Sequence, residues 1–226
     1  LRNRPIRVFR TASGVRNSWA ALREKGDEPH MLVMSATPLP RTLGLLLFAD
    51  LDLSRVDELP PGRKPIKTRC VSGEKRLDMY RYLAQKAQAG EQAYVICPAI
   101  GENEYAPMQS VESLWAELSQ GVMGGTEMAM LHGRMSAMQK ESVLEDFRQG
   151  RVKVLISTTV IEVGINVPNA TSIVIEDAHR FGLAQLHQLR GRVGRGSAQS
   201  YCILVSDNEG EENRRRLQVM KETSDG

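Results

Sequence analysis

The chain has 226 residues, a formal net charge of +3, 41% hydrophobic residues and 25% charged residues. These values suit a globular protein and exclude a disordered or low-complexity one. The net charge is too small to argue for a nucleic-acid partner, so any anion-binding footprint has to be local.

The first apolar strand is predicted at His30–Met34, ending at Ser35-Ala36-Thr37. Pro38 and Pro40 then open a helix-like apolar run from Leu43 to Phe48. Leu59-Pro-Pro-Gly-Arg-Lys-Pro65 reads as a semi-rigid linker and divides the chain near residue 60. Beyond it, strands are predicted at Thr68–Val71, Ala93–Cys97, Met128–Leu131, Lys153–Ile156, Ser172–Ile175 and Tyr201–Val205. Helices are predicted near 74–89, 110–120, 137–149, 182–190 and 209–222, with a capping box at Ser136-Ala-Met-Gln139. The polar stretch from Gly101 to Met108 reads as a loop. This alternation predicts an α/β fold: a mainly parallel sheet with helices on both faces.

Cys70, Cys97 and Cys202 all lie in apolar, strand-like runs with no metal-like pairing. They predict buried free thiols in a reducing compartment, taken as cytoplasmic, and no metal site. No apolar stretch approaches the ~20 residues of a membrane span, and no secretory signal opens the chain.

The segment Gln185 to Arg195 carries the most chemistry. Read as a helix, it places Gln185, Gln188, Arg192 and Arg195 on one face. Leu183, Leu186, Leu189 and Val193 fall on another, core-facing side. Gly191 and Gly194 leave room beside the backbone for a large group. Two guanidiniums beside such a gap suit a triphosphate, whose oxygens gain charge as the terminal phosphoryl leaves. Arg214-Arg215-Arg216 reads as the solvated face of a terminal helix.

Ligands of a parallel sheet gather at the carboxyl ends of its strands. Ser157-Thr158-Thr159 follows one predicted strand, and its hydroxyls and amides suit a phosphate. His132-Gly133-Arg134 follows another: Gly133 permits close approach and Arg134 can pair with a phosphate. Taken alone, the same residues also read as a helix cap and a solvated loop.

Gln188-x-x-Gly-Arg-x-Gly-Arg195 resembles the sixth motif of superfamily-two helicases, Ser157 to Ala170 their fifth, and Ser35-Ala-Thr37 their third. Met31 to Leu43, Asp57 to Ile66 and Leu131-His-Gly-Arg-Met135 narrow the resemblance to the RecG family of ATP-dependent DNA helicases, over roughly residues 14 to 226. The sixth motif is also similar to that of the transcription-repair coupling factors, and a non-catalytic DNA-binding module with a helicase-like fold is a further alternative. The RecG resemblance implies two RecA-like lobes. Residues 1–60 would hold the end of the first, together with a non-matching stretch over 1–13, and 61–226 the second.

It also implies catalytic roles for Arg192 and Arg195, and nucleotide contacts for Gln188, Glu162, Gly164 and Asn166. His132, Gly133, Arg134, Thr158 and Thr159 would touch DNA, and Ser35 and Thr37 would relay between nucleotide and DNA. Asn166 stands where many relatives carry aspartate, which keeps an acceptor oxygen but removes a charge. ATP and Mg2+ are the implied ligands and branched DNA the implied partner, with no membrane. No Gly-x-x-x-x-Gly-Lys-Ser/Thr loop occurs in the sequence, and the acidic magnesium box would fall at Val8-Phe-Arg-Thr11. The chain is therefore expected to be the rear half of a motor and inactive by itself.

Overall fold

A computed structural model describes residues 7–10, 31–34, 62–98, 106–158, 167–208 and 210–223. Contacts divide the chain into two units, Leu1–Val56 with Gly226, and Asp57–Asp225. In the first unit, β1 (Arg7–Arg10) pairs in parallel with β2 (Met31–Met34). The predicted helix over Leu43–Phe48 lies outside the described residues.

The second unit carries a six-stranded, all-parallel sheet. Its strands are β3 (Lys67–Val71), β4 (Gln92–Cys97), β5 (Met128–Leu131), β6 (Val154–Thr158), β7 (Ala170–Ile175) and β8 (Tyr201–Val205), in the order β3-β8-β7-β4-β6-β5. Among the described residues four helices connect them, α1 (Arg76–Gln88), α2 (Ala106–Gln120), α3 (Ala137–Arg148) and α4 (Leu183–Arg190), and α5 (Glu211–Glu222) follows β8. The parallel sheet predicted from the alternation is the one observed.

Burial explains the strand sequences. Every residue of β4, β6 and β7 is buried, so these strands read as continuous apolar runs instead of alternating ones. One face packs Met79, Tyr80 and Leu83 of α1 and Val111, Leu114 and Leu118 of α2 against Val95, Ile156 and Val174. The other packs Phe147 of α3, Leu186 of α4 and Leu217 of α5 against Tyr94, Leu155 and Ile173. Gln92, the one long polar side chain in β4, donates to Val152 O at 2.9 Å, which makes its burial tolerable.

Four local expectations change. The Gly101–Met108 loop ends sooner, because α2 begins at Ala106; Pro107 fits a first helical turn, where no backbone N–H is needed. Cys97 and Cys202 are buried, but Cys70 is exposed because β3 is an edge strand. Arg216 is not on a solvated face: it donates to His179 O, beneath α5. The segment Gln185–Arg195 is helical only to Arg190. The capping box of α3 forms as expected, with Gln139 N donating to Ser136 Oγ at 3.2 Å and Ser136 N to Gln139 Oε1 at 2.9 Å.

Candidate nucleotide and DNA sites of a motor lobe

The carboxyl edge of the sheet brings His132 and Thr158 together. Ser157 and Thr158 were expected just past the end of the strand, but β6 continues through both because they pair with Ile96 and Cys97 of β4. Both are buried. Leu131 pairs with Ser157, so His132 stands one step on, beside Thr158. His132 Nδ1 and Ser157 Oγ are buried without a hydrogen-bond partner among the described residues. An unsatisfied buried group costs about 1–3 kcal/mol, so two at one strand end call for an explanation, and a ligand oxygen supplies one. Gly133 and Arg134 follow in an exposed turn, where Lys140 Nζ donates to Gly133 O at 2.7 Å. Among the described residues, no atom beyond its chain neighbours lies within 4 Å of where a side chain on Gly133 would begin. Thr159, Glu162, Gly164, Asn166, Ser35 and Thr37 lie outside the described residues.

Arg192 and Arg195 sit elsewhere. Gly191 caps α4, so the two arginines follow the helix in a turn and an irregular segment instead of continuing its face. Gly194 has φ +77, and a Cβ there would lie 2.8 Å from Ile66 Cγ1. A Cβ on Gly196 would lie 2.7 Å from Pro168 O. Ile66 precedes β3 and Pro168 precedes β7, so this segment lies towards the amino edge of the sheet. Leu186 and Val193 anchor it in the core, whereas Leu183 is exposed. Burial pushes the Tyr94 phenol up to about 12, against the pull of the Arg195 and Arg192 charges. Both guanidiniums therefore act on the same phenol. Gln188 is exposed on the last turn of α4. Gln185 is a cap instead: its Oε1 accepts from Gly182 N at 3.0 Å.

Two polar groups, the buried Arg190 and the partly buried Glu176, escaped the sequence reading. Arg190 is 5% exposed. Its Nη1 donates to Met220 O at 2.9 Å and Thr223 O at 2.7 Å, tying α4 to the end of α5. The available signal was phase, since position 190 shares the core-facing register of Leu186 and Val193. Glu176 follows β7 directly, and its carboxylate receives Arg76 Nε at 3.1 Å on both oxygens and the Tyr80 hydroxyl. A charge abutting the apolar run Ile173–Ile175 was its signal. Burial raises the Glu176 carboxyl above its ordinary range, despite the opposing Tyr80 hydroxyl and Arg76 charge.

A helicase conserved C-terminal domain model matches residues 74–197, more than half of the chain. The chain belongs to that family. This helicase domain is 48% identical over 205 residues to an ATP-dependent DNA helicase RecG of Streptococcus pneumoniae, covering 91% of the chain but 31% of that protein. It is 44% identical over 206 residues to the RecG of Thermotoga maritima, covering 91% of the chain and 26% of the relative. Among solved structures, RecG bound to a three-way DNA junction superposes with a TM-score of 0.74 at 44% identity, over 89% of the chain and 26% of that structure. Dbp5 of S. cerevisiae, bound to RNA and ADP BeF3, shares the fold with a TM-score of 0.64 at 19% identity, over 96% of the chain and 57% of that structure. The helicase domain thus spans less than a third of the RecG proteins that it matches.

Proposed function

We propose that this chain is the C-terminal motor lobe of a RecG-like ATP-dependent DNA helicase that remodels branched DNA in repair and recombination in the cytoplasm. On this reading residues 61–226 form the second RecA-like lobe and residues 1–60 end the first. The observation that carries it is the pairing of two half-exposed arginines, Arg192 and Arg195, beside the positive-φ Gly194 in a chain 48% identical to a RecG.

Two guanidinium forks fit the oxygens of a triphosphate. Fixed in place by Leu186, Val193 and Gly194, they would meet charge that grows as the terminal phosphoryl leaves, at little reorganisation cost. Gln188, Glu162, Gly164 and Asn166 would border the nucleotide. The phosphate-cradling lysine and the acidic magnesium ligands occur in neither lobe segment present, so they would come from the rest of the first lobe. His132, Gly133, Arg134, Thr158 and Thr159 would track the DNA backbone along the carboxyl edge. Ser35 and Thr37 would relay between the two. The separation of the arginine segment from that edge supports a division between nucleotide and DNA contacts.

The test is ATP hydrolysis and strand separation on a three-way junction by the full-length gene product, beside the chain alone. The full-length protein should hydrolyse ATP in response to the junction and separate its strands. The chain alone should do neither. Hydrolysis by the isolated chain, or displacement of a stalled polymerase with no action on junctions, would sink the proposal.

A further inference from the structure

Glu176, Arg76 and Tyr80 form a cluster outside both sites described above. Glu176 is the last residue held by the β7 ladder, its N–H donating to Ile96 O at 2.9 Å. Its side chain is 12% exposed, and Arg76 Nε contacts both carboxylate oxygens at 3.1 Å. Arg76 is the first residue of α1, and its Nη1 reaches Glu117 of α2 at 2.9 Å. The Arg76 guanidinium also lies 5.4 Å from the centre of the Tyr80 ring, whose hydroxyl donates to Glu176. The carboxylate thus joins the end of β7 to α1, and Arg76 carries the link on to α2.

The next residue turns the chain sharply. Asp177 has φ 48 and ψ 45, the one non-glycine residue in the left-handed region among the described residues. That conformation costs about 1–2 kcal/mol, so neighbouring contacts have to hold it. From this turn the chain passes through a short 3-10 segment (Ala178–Arg180) into α4, which leads to Arg192 and Arg195. Helix α4 therefore begins at the edge carrying His132 and Thr158 and ends at the arginine segment.

We propose that the Arg76–Glu176–Tyr80 cluster is a latch fixing the carboxyl-edge end of α4, so that α4 couples the state of the DNA-facing edge to the position of the arginines. Glu176 is a positioning residue and touches neither nucleotide nor DNA. Burying this ion pair does little for stability, since desolvation offsets much of the attraction. Its contribution is to the geometry of one turn. The coupling role rests on the helicase reading above; the turn-holding role does not.

Two variants of the full-length gene product separate the possibilities. Glu176→Gln keeps the shape and removes the charge, and Tyr80→Phe removes only the hydroxyl. Both should lower the ratio of DNA-stimulated to DNA-free ATP turnover by about fivefold or more, the usual scale of coupling between sites. Amide exchange of residues 178–186 should speed up in both, while exchange across α3 stays at the wild-type rate. Tyr80→Phe leaves the Arg76–Glu176 pair in place, so its melting temperature should not fall in step with the ratio, as it would if the cluster were merely structural. An unchanged turnover ratio, or unchanged exchange over 178–186, overturns the latch. A wild-type protein with no ATPase at all refutes the helicase reading, and the exchange comparison then still decides whether the turn is held.

Discussion

At the scale of single residues, the arginine pair is the sharpest test. Arg192 and Arg195 are held by their backbone: Gly191 ends α4, and Gly194 sits at φ +77 against Ile66, where a side chain would collide. A rigid fork aimed at developing charge should act on turnover more than on ground-state binding. Lysine keeps the charge but loses the planar fork. In the full-length protein, Arg192→Lys and Arg195→Lys should therefore lower turnover by about 10³-fold, with a much smaller change in ATP affinity. Arg214→Lys, on the exposed side of α5, should leave both near normal. If ATP affinity falls in step with turnover, the two arginines are ground-state anchors and the transition-state role is withdrawn. Normal turnover in both variants would mean that the segment was assigned wrongly.

At the scale of elements, Arg190 joins α4 to α5. Its Nη1 donates to two carbonyls at the carboxyl end of α5, where backbone acceptors lack helical partners and a cation is favoured. Arg190→Met keeps the length and apolar stem but loses both bonds. It should destabilise the domain by about 1–3 kcal/mol in urea titration and speed amide exchange over 217–223 before the rest of the domain. An unchanged midpoint would show that solvent satisfies those carbonyls equally well. Arg190 also marks how far the sequence was legible. All six strands of the large sheet were located to within two residues; β4, β6 and β7, buried on both faces, leave a continuous apolar signal, whereas the edge strand β3 is mostly exposed. The ends of elements were harder. β6 extends through Ser157 and Thr158 because pairing with β4 outweighs their preference for turns. The helix after Gly182 stops at Arg190, the end predicted for it, so Arg192 and Arg195 leave the face that a helical reading of Gln185–Arg195 gave them. Motif text identified Arg192, Arg195, His132 and Arg134, but the partners of Arg190 and Glu176 are 30 and 100 residues away. Such long-range pairing leaves no local pattern to read.

At the scale of the whole molecule, the question is what a chain of net charge +3 does near DNA. Long-range attraction is too weak to bind it, so affinity has to come from a few direct phosphate contacts. On the carboxyl edge Arg134 is exposed in the turn after β5, where Lys140 Nζ also reaches Gly133 O, beside His132 and the ends of β5 and β6. Backbone amides and hydroxyls add contacts that release no counterions. Binding of the chain to duplex DNA should therefore be weak and indifferent to sequence. The logarithm of its binding constant should fall with the logarithm of salt with a shallow slope, about −1 for each cation–phosphate contact. Arg134→Gln should reduce that slope by about one and weaken binding to different sequences equally. Arg214→Gln, on α5 at the β3 end of the sheet and so at the opposite end from β5, should leave the slope near the wild-type value. Fluorescence anisotropy over a salt series, with two unrelated duplexes, measures all three quantities. Affinity unchanged from low to physiological salt would rule out a phosphate-tracking edge. A strong preference for one duplex would mean that base edges, not the backbone, are being read.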